Sequence, residues 1–348
     1  MKKNLFIEVH ALQDLPPNCL NRDENGSPKT ALYGGAERSY VSSQAWKKAM
    51  RTYFKEAIDE SKIGYRTLEI VTLVQQDLMN RHGKSDKEAK ALTKSLLKDL
   101  GLKADKEKTK ALFPVSKEEI QALSDTLLST PNDKNALKEA LNYLPSVDIC
   151  LFGRMSADDK DLNVDAACQI APALSVNEIQ MDTDFFTAID DLKKTSGSVM
   201  MGTKEFTSGV MYRYGALSLA ALQDNMKKDV PLVVSQFLRA FIESMPNGLQ
   251  NGFAANTLPY AVYVTIRSDR PISFASAFES PVEASGNGYR LPAAKAFKDE
   301  VNAIYKDWAK TPEFHAAVGT AVDELAPSCS LEQLYSSVQD YIQENGAL

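Results

Sequence analysis

The sequence predicts an α+β chain built on a βαββαβ sheet core that two insertions interrupt, one helical and one hairpin-like. Three stretches carry this reading. Residues 4–12, NLFIEVHAL, alternate Phe6, Glu8 and His10 against Leu5, Ile7 and Val9, the period of a strand with at least one buried face. From about residue 62 to 144 the texture changes to repeated helical spacing with hardly an aromatic, as in LEIVTLVQQDLM, KEAKALTKSLLKDL, KEEIQALSDTLLS and NALKEALNYL. Residues 176–192 and 197–222 return to β character, with Phe206, Ser208, Val210, Tyr212 and Tyr214 alternating against Thr207, Gly209, Met211 and Arg213.

Taken in order, the first strand should stop at Pro16, Pro17 and Asn18, and a polar loop should lead to a turn at Gly34 and Gly35. A short strand over Arg38–Val41 follows, then a helix from near Gln44 capped by Ser42 or Ser43. Lysines mixed with acids between Lys84 and Lys117 indicate a solvated helical face, and Pro145 closes the insertion. Val147–Leu151 reads as a short apolar strand, after which Gly153 lets the backbone approach something closely. DAACQIAPAL at 165–174 reads as a short helical stretch, and the β residues from 176 as a protruding lobe that returns to the core. VPLVVSQFLRAFIESM reads as a buried helix ending at Pro246, and PYAVYVTIRS as a core strand with Tyr260, Val262, Val264 and Ile266 on one face. Helices over 292–309 and 331–343 complete the chain, which shows no internal repeat.

Length allows two domains or one core with a large insertion, since 348 residues exceed one average domain. The first ten residues lack the apolar core of a signal peptide, and no apolar run could cross a bilayer, so a cytoplasmic location without membrane partners is expected. Cys19, Cys150, Cys168 and Cys329 are scattered, and with His10, His82 and His315 they make no metal-ligand spacing; no metal and no cofactor is expected. A net charge of −6 argues against coating nucleic acid over the whole surface, and leaves room for one basic groove.

Such a groove has a candidate. Between Ser42 and Lys55 there is no acid; Ala45, Trp46, Ala49, Met50 and Tyr53 fall on one side of the helix, and Lys47, Lys48, Arg51 and Lys55 on the other. An open helix N-terminus beside a row of cations suits a run of phosphates. Catalysis has little support, because no nucleophile elbow, phosphate loop or zinc-protease pair is present. Asp182, Asp184, Asp190 and Asp191 are the carboxylate cluster that could hold Mg²⁺, and they read as turn and cap residues. Met155, Phe186 and Met201 stand in polar surroundings, where apolar side chains can serve as wedges between bases.

Several blocks in register resemble the CasC family of backbone subunits of type I-E CRISPR Cascade: CLNRDE at 19–24, YGGAERSYVSSQAWKKAMR at 33–51, RTLEI at 66–70, VDICLFGRM at 147–155, and DTDFFTAIDDL through GTKEFTSGVMYRYG at 182–215. The resemblance spans essentially the whole chain. It implies an RNA-recognition-motif-like (ferredoxin-like) palm over 1–61 and 216–348, inserted helical fingers over 62–175 and a β-hairpin thumb over 176–215. It further implies a non-catalytic subunit that polymerises head to tail with copies of itself along CRISPR RNA and presents the bases to target DNA, beside large, small, Cas5-type and Cas6-type subunits. By the same resemblance, Arg22, Ser42, Gln44, Lys47, Lys48, Arg51, Arg154 and Met155 touch the guide, Met155 as a wedge. Phe186, Thr187 and Met201 are thumb wedge positions, and Lys134 and Lys138 sit on a helix whose counterpart touches target DNA. The alternative within this resemblance is an RNA-cleaving type III backbone relative.

Overall fold

The computed structural model describes residues 4–59, 62–131, 133–192, 200–226, 228–286 and 288–346. In chain order the strands are β1 (Phe6–Asn18), β2 (Thr30–Tyr33), β3 (Ala36–Val41), β4 (Tyr65–Thr67), β5 (Ala104–Asp105), β6 (Lys108–Thr109), β7 (Phe113–Val115), β8 (Cys168–Ile170), β9 (Ala173–Ser175), β10 (Asp182–Ala188), β11 (Met200–Ser218), β12 (Ala261–Arg267) and β13 (Phe314–Val318). The helices are α1 (Ser43–Ala57), α2 (Ile70–His82), α3 (Asp86–Thr93), α4 (Leu96–Asp99), α5 (Lys117–Ser129), α6 (Lys134–Leu141), α7 (Val147–Phe152), α8 (Leu219–Asn225), α9 (Val230–Glu243), α10 (Gln250–Phe253), α11 (Arg290–Asp307) and α12 (Leu331–Asn345). The chain divides into two compact units, one of residues 1–50, 170–216 and 237–347, the other of residues 51–169 and 217–236.

The first unit is a sheet ordered β13-β12-β1-β11-β9-β3-β2, with β10 added alongside β11. Its centre, β12-β1-β11-β9, is the order 4-1-3-2 expected when a βαββαβ chain folds into one sheet. The β1–β12, β11–β9, β3–β9 and β12–β13 pairings are antiparallel. This is the α+β arrangement that the hydrophobic periods predict. Both faces of the centre are buried: every residue of β12, and Val210–Leu217 of β11, are covered. On one face Tyr212, Tyr214, Tyr263, Phe274 and Phe297 pack in a single cluster with Ala293, Ala294 and Val301 of α11.

His10 lies inside that aromatic cluster, its ring centroid 4.7 Å from that of Phe274 and 5.0 Å from that of Tyr214. The Tyr212 hydroxyl accepts the Phe274 N–H at 3.1 Å, which leaves its own hydrogen for His10 Nδ1 at 2.9 Å. Burial, with the Arg267 charge adding to it, pushes the His10 pKa down to about 3, so the imidazole is neutral.

In the second unit, apolar positions of α2, α4, α5 and α6, with Phe113 and Val115 of β7, form a separate core. Local signals set its helix ends. Ser85 with Glu88 and Ser116 with Glu119 make capping boxes, Asp133 caps α6, and Gly83 closes α2 in the left-handed region.

Several local expectations are corrected. Val147–Leu151 is helical as part of α7, starting after Ser146 and stopped by Gly153, because a five-residue apolar run has no length to distinguish a buried strand from a buried helix turn. Residues 165–174 hold the strands β8 and β9 rather than a helix; Pro172 interrupts any helical run there, and β9 finds its partners far away in β3 and β11. β1 runs through Pro16 and Pro17 to Asn18. β2, β13 and the short strands β4–β7 inside the helical stretch fall where the sequence predicts no strand, and the strand expected over 197–199 lies outside the described residues. Among the described residues no helix is long and apolar enough to cross a membrane. Cys19, Cys150 and Cys168 are buried free thiols and Cys329 is a half-buried one. Burial raises the Cys150 thiol to about 12.

Candidate nucleic-acid interface

α1 is built as its pattern demands. Trp46, Ala49, Met50 and Phe54 are buried, while Gln44, Lys48 and Lys55 are exposed and Lys47 is half-buried. Ser42 is the cap: its hydroxyl accepts the Ala45 N–H at 3.3 Å and its carbonyl the Trp46 N–H at 3.2 Å. The N–H groups of Ser43 and Gln44, having no intrahelical acceptor by geometry, mark the positive end of the helix. Asn21 joins this end to the preceding loop, since its side-chain oxygen accepts the Ser42 N–H at 2.9 Å and its carbonyl the Lys29 N–H at 2.8 Å. Asp23 closes that loop by accepting from the Asn25 and Ser27 N–H groups. Arg22, exposed and next to Asn21, is thereby tied through its neighbour to the start of α1 at Ser42. Sequence reasoning missed the tether; the signal was an Asn in a loop directly preceding an Arg.

Arg51, in the second unit, is held differently. Its Nε donates to Asp148 at 2.7 Å and its Nη2 to the Gly64 carbonyl at 3.1 Å. Asp148 also accepts from the Gly64 N–H and the Ser146 hydroxyl, and its side chain is only 3% exposed against 19% for Arg51. Arg51 is therefore a cation anchored from below, with Asp148 as its positioning residue. The misassigned strand hid this acid.

Arg154 corrects the expectation of a guide contact. Its side chain has no exposure and spends all five N–H donors inside the protein, on Leu162 O, Pro114 O, Glu119 Oε1, Leu141 O and Asn142 Oδ1. With no donor and no surface left, it organises the second unit. Its backbone pairs with Val164 in both directions at 2.9 Å, and Gly153 before it has φ +79°, where a Cβ would meet Val164 O at 2.9 Å. The close approach that Gly153 permits is thus to the chain itself. The result is a closed loop from Arg154 to Val164 that displays Met155, 82% exposed. The loop acids are engaged: Asp158 accepts from the Lys103 N–H and pairs with its ammonium at 3.1 Å, and Asp159 pairs with Lys138 at 2.5 Å. Both carboxyls are held below their usual range, Asp158 chiefly by the Lys103 N–H and Asp159 chiefly by Lys138.

The two candidate lysines of α6 are also paired, Lys138 with Asp159 and Asp161, and the more exposed Lys134 with Asp99 at 3.6 Å. In the β10–β11 hairpin, register sorts the wedge candidates onto two faces. Thr187 stands opposite Met201, and Phe186 opposite Gly202, so Thr187 and Met201 share one face and Phe186 lies on the other. A Cβ at Gly202 would meet the Phe186 ring at 2.6 Å, and Lys204 Nζ lies 4.9 Å from the ring centroid. Lys204, opposite Asp184, was not singled out from the sequence. Among the described residues no three His, Cys, Asp or Glu side chains are grouped as a metal site would need.

A family described as CT1975-like protein matches residues 7–344 of this chain. No curated protein matches it. A chain of a solved "CRISPR RNA-guided surveillance complex, pre-nicking" is similar at 30% identity, covering 96% of this chain and 100% of that one, with a TM-score of 0.84. A chain of a second solved "CRISPR RNA-guided surveillance complex" is similar at 28% identity over 95% of this chain and 99% of that one, with a TM-score of 0.62.

Proposed function

The chain belongs to the CT1975-like family, and from that premise we propose that it is the non-catalytic backbone subunit of a type I-E CRISPR Cascade complex in the cytoplasm. It polymerises head to tail along CRISPR RNA, grips the sugar-phosphate backbone and leaves the bases free to pair with target DNA, in company with the other Cascade subunits. The observation that carries this is α1: a tethered, capped helix start with Arg22, Gln44, Lys47 and Lys48 around it and no acid in its own sequence from Ser42 to Lys55. Cations and backbone N–H groups of this kind read phosphates without reading bases, as a subunit that must accept any guide sequence requires. In the second unit, Arg51, positioned by Asp148, supplies a further cation, and exposed Met155 supplies a wedge where the guide kinks. Phe186 and the Thr187–Met201 pair would address the guide–target duplex from opposite faces of the thumb.

Lys47→Ala with Lys48→Ala is the test, because Arg51→Ala would leave the buried Asp148 without its cation. Each lost phosphate contact should flatten the log–log salt dependence of RNA binding by roughly 0.7. An unchanged slope removes α1 from the RNA path. The absence of catalysis is tested separately, by incubating the assembled complex with Mg²⁺ and a complementary strand; cleavage abolished by Asp184→Asn would point instead to a type III-like nuclease.

A further inference from the structure

Beneath α1, in the first unit, lies a charge that the interior does not neutralise. Arg213 of β11 is 2% exposed, with its guanidinium 3.7 Å from the centroid of Trp46 and 4.7 Å from that of Phe241. Its acceptors are uncharged: Gln13 Oε1 at 2.6 Å and the Phe241 carbonyl. Gln13 is itself fixed by donating to the Thr257 carbonyl at 2.6 Å. The Nε of Arg213 and the Nε1 of Trp46 are both buried without an acceptor.

Two of the other fully buried arginines have acids, Arg154 with Glu119 and Arg267 with Asp269. Arg38 shares with Arg213 a buried Nε without an acceptor, but it places its terminal nitrogens on four backbone carbonyls where Arg213 has two uncharged acceptors. No carboxylate within ion-pair distance of Arg213 appears among the described residues. Burial lowers its pKa to about 9, which still leaves it a cation at neutral pH. An unpaired buried charge is costly to a fold, so its retention calls for a compensating role.

We propose that Arg213 is a positioning residue for RNA binding whose counter-charge is the phosphate backbone itself, reached through Trp46 and α1. This rests on the reading of α1 as the guide helix. Trp46, on the inner side of α1, lies against the guanidinium, while Gln44 and Lys48 lie on the opposite side of the helix. A helix with its side chains is about 10 Å across. Protein rather than salt solution fills that distance, so the field of Arg213 at the outer face is screened less than that of a surface lysine. With the 3.7 Å gap to Trp46 the separation is about 14 Å, and at an effective dielectric constant of about 20 one charge at that range is worth roughly sevenfold in affinity, and about fivefold after partial screening. The same stacking fixes Trp46, and with it the rotation of α1 about its own axis.

The test is RNA binding by the full chain, with a repeat–spacer RNA as probe, over a range of salt concentrations. Arg213→Met should bind about fivefold more weakly, with a salt slope close to that of the unaltered protein because no phosphate contact is lost. Arg213→Lys, which keeps the charge, should recover affinity to within about twofold. Gln13→Glu gives up the donation to the Thr257 carbonyl but keeps the guanidinium and supplies an internal counter-ion, so, in protein whose thermal unfolding matches the unaltered chain, it too should weaken binding about fivefold; it decides the matter if Arg213→Met does not fold. Unaltered affinity in Gln13→Glu and in any folded Arg213→Met overturns the proposal and leaves Arg213 a packing residue, as does a folded Arg213→Lys as weak as Arg213→Met. Lys47→Ala with Lys48→Ala separates the two levels. If that variant loses affinity while Gln13→Glu does not, this inference alone fails; if that variant also binds normally, the reading of α1 fails with it.

Discussion

The two ends of β11 make an instructive pair. From Val210 to Leu217 every residue is buried, and the strand lies in the middle of the sheet with covered faces on both sides. From Met200 to Lys204 the same strand is mostly exposed and pairs with β10, yet it still carries Met200 and Met201 opposite Ala188 and Thr187. Gly209, with φ +154°, marks the change, where the Asn177 side chain approaches so closely that a Cβ would meet its oxygen at 2.6 Å. Backbone pairing is common to both ends, so pairing does not set their roles. Apolar side chains at the root gain about 1.5–3 kcal/mol each by burial, whereas those at the tip gain little within this chain. The root is made for stability, and the exposed apolar side chains of the tip contribute little to it.

The comparison breaks first at the root. Tyr212→Ala removes a buried ring together with the hydroxyl that joins the Phe274 N–H to His10, and should cost about 3–5 kcal/mol in urea-induced unfolding. A loss below about 1 kcal/mol would mean that the root is no better packed than the tip.

A smaller effect sharpens the same contrast through pH. His10 is held near 3 in the folded state by burial, against 6.5 when exposed. A depressed pKa means that the unfolded chain takes up the proton first, so the stabilisation is intact above about 6.5 and is lost as pH falls toward 3. Between pH 7 and pH 5 the protein should lose about 2 kcal/mol on this account. His10→Phe should flatten the profile over that interval, and if its profile stays parallel to that of the unaltered protein, another group is responsible.

Much of the root was legible in the sequence, because long alternating runs such as NLFIEVHAL and PYAVYVTIRS leave few choices of period. The helices of the second unit were legible for the same reason. Short elements were not: the apolar stretch at 147–151 fits a strand or a helix turn equally, and β9 exists because β3 and β11 pair with it from far along the chain. For the interface, the amphipathic pattern of α1 located its exposed and buried faces, as Lys48 and Trp46 show. What the pattern could not reveal was the sorting of arginines. Arg22 is exposed, Arg51 is half-buried on an acid, and Arg154 and Arg213 are internal, yet all four sit in similarly mixed stretches of sequence. Whether an arginine faces solvent depends on acceptors contributed by distant segments, such as Glu119 and Leu162 for Arg154, and no local spacing encodes those.

The smallest effect on stability is expected at the tip, where it is the most informative about function. Phe185 and Met201 stand on one face of the hairpin and are 61% and 68% exposed. Replacing both with Ala should change unfolding stability by no more than about 0.5 kcal/mol per site, because little buried area is lost. If the exposed face meets a neighbouring copy and the guide, the same double variant should lose RNA-dependent assembly. A head-to-tail contact uses two different patches on each subunit and does not close on itself, so an external ruler must stop it, and RNA length is the ruler proposed here. Mass photometry of complexes built on guides of graded length should therefore show discrete mass steps for the unaltered protein and none, or fewer, for the variant. A variant that assembles in the same steps would leave the exposed apolar face without a partner in the filament. A mass that stays fixed while the guide lengthens would replace the ruler with a closed oligomer that binds RNA at its surface.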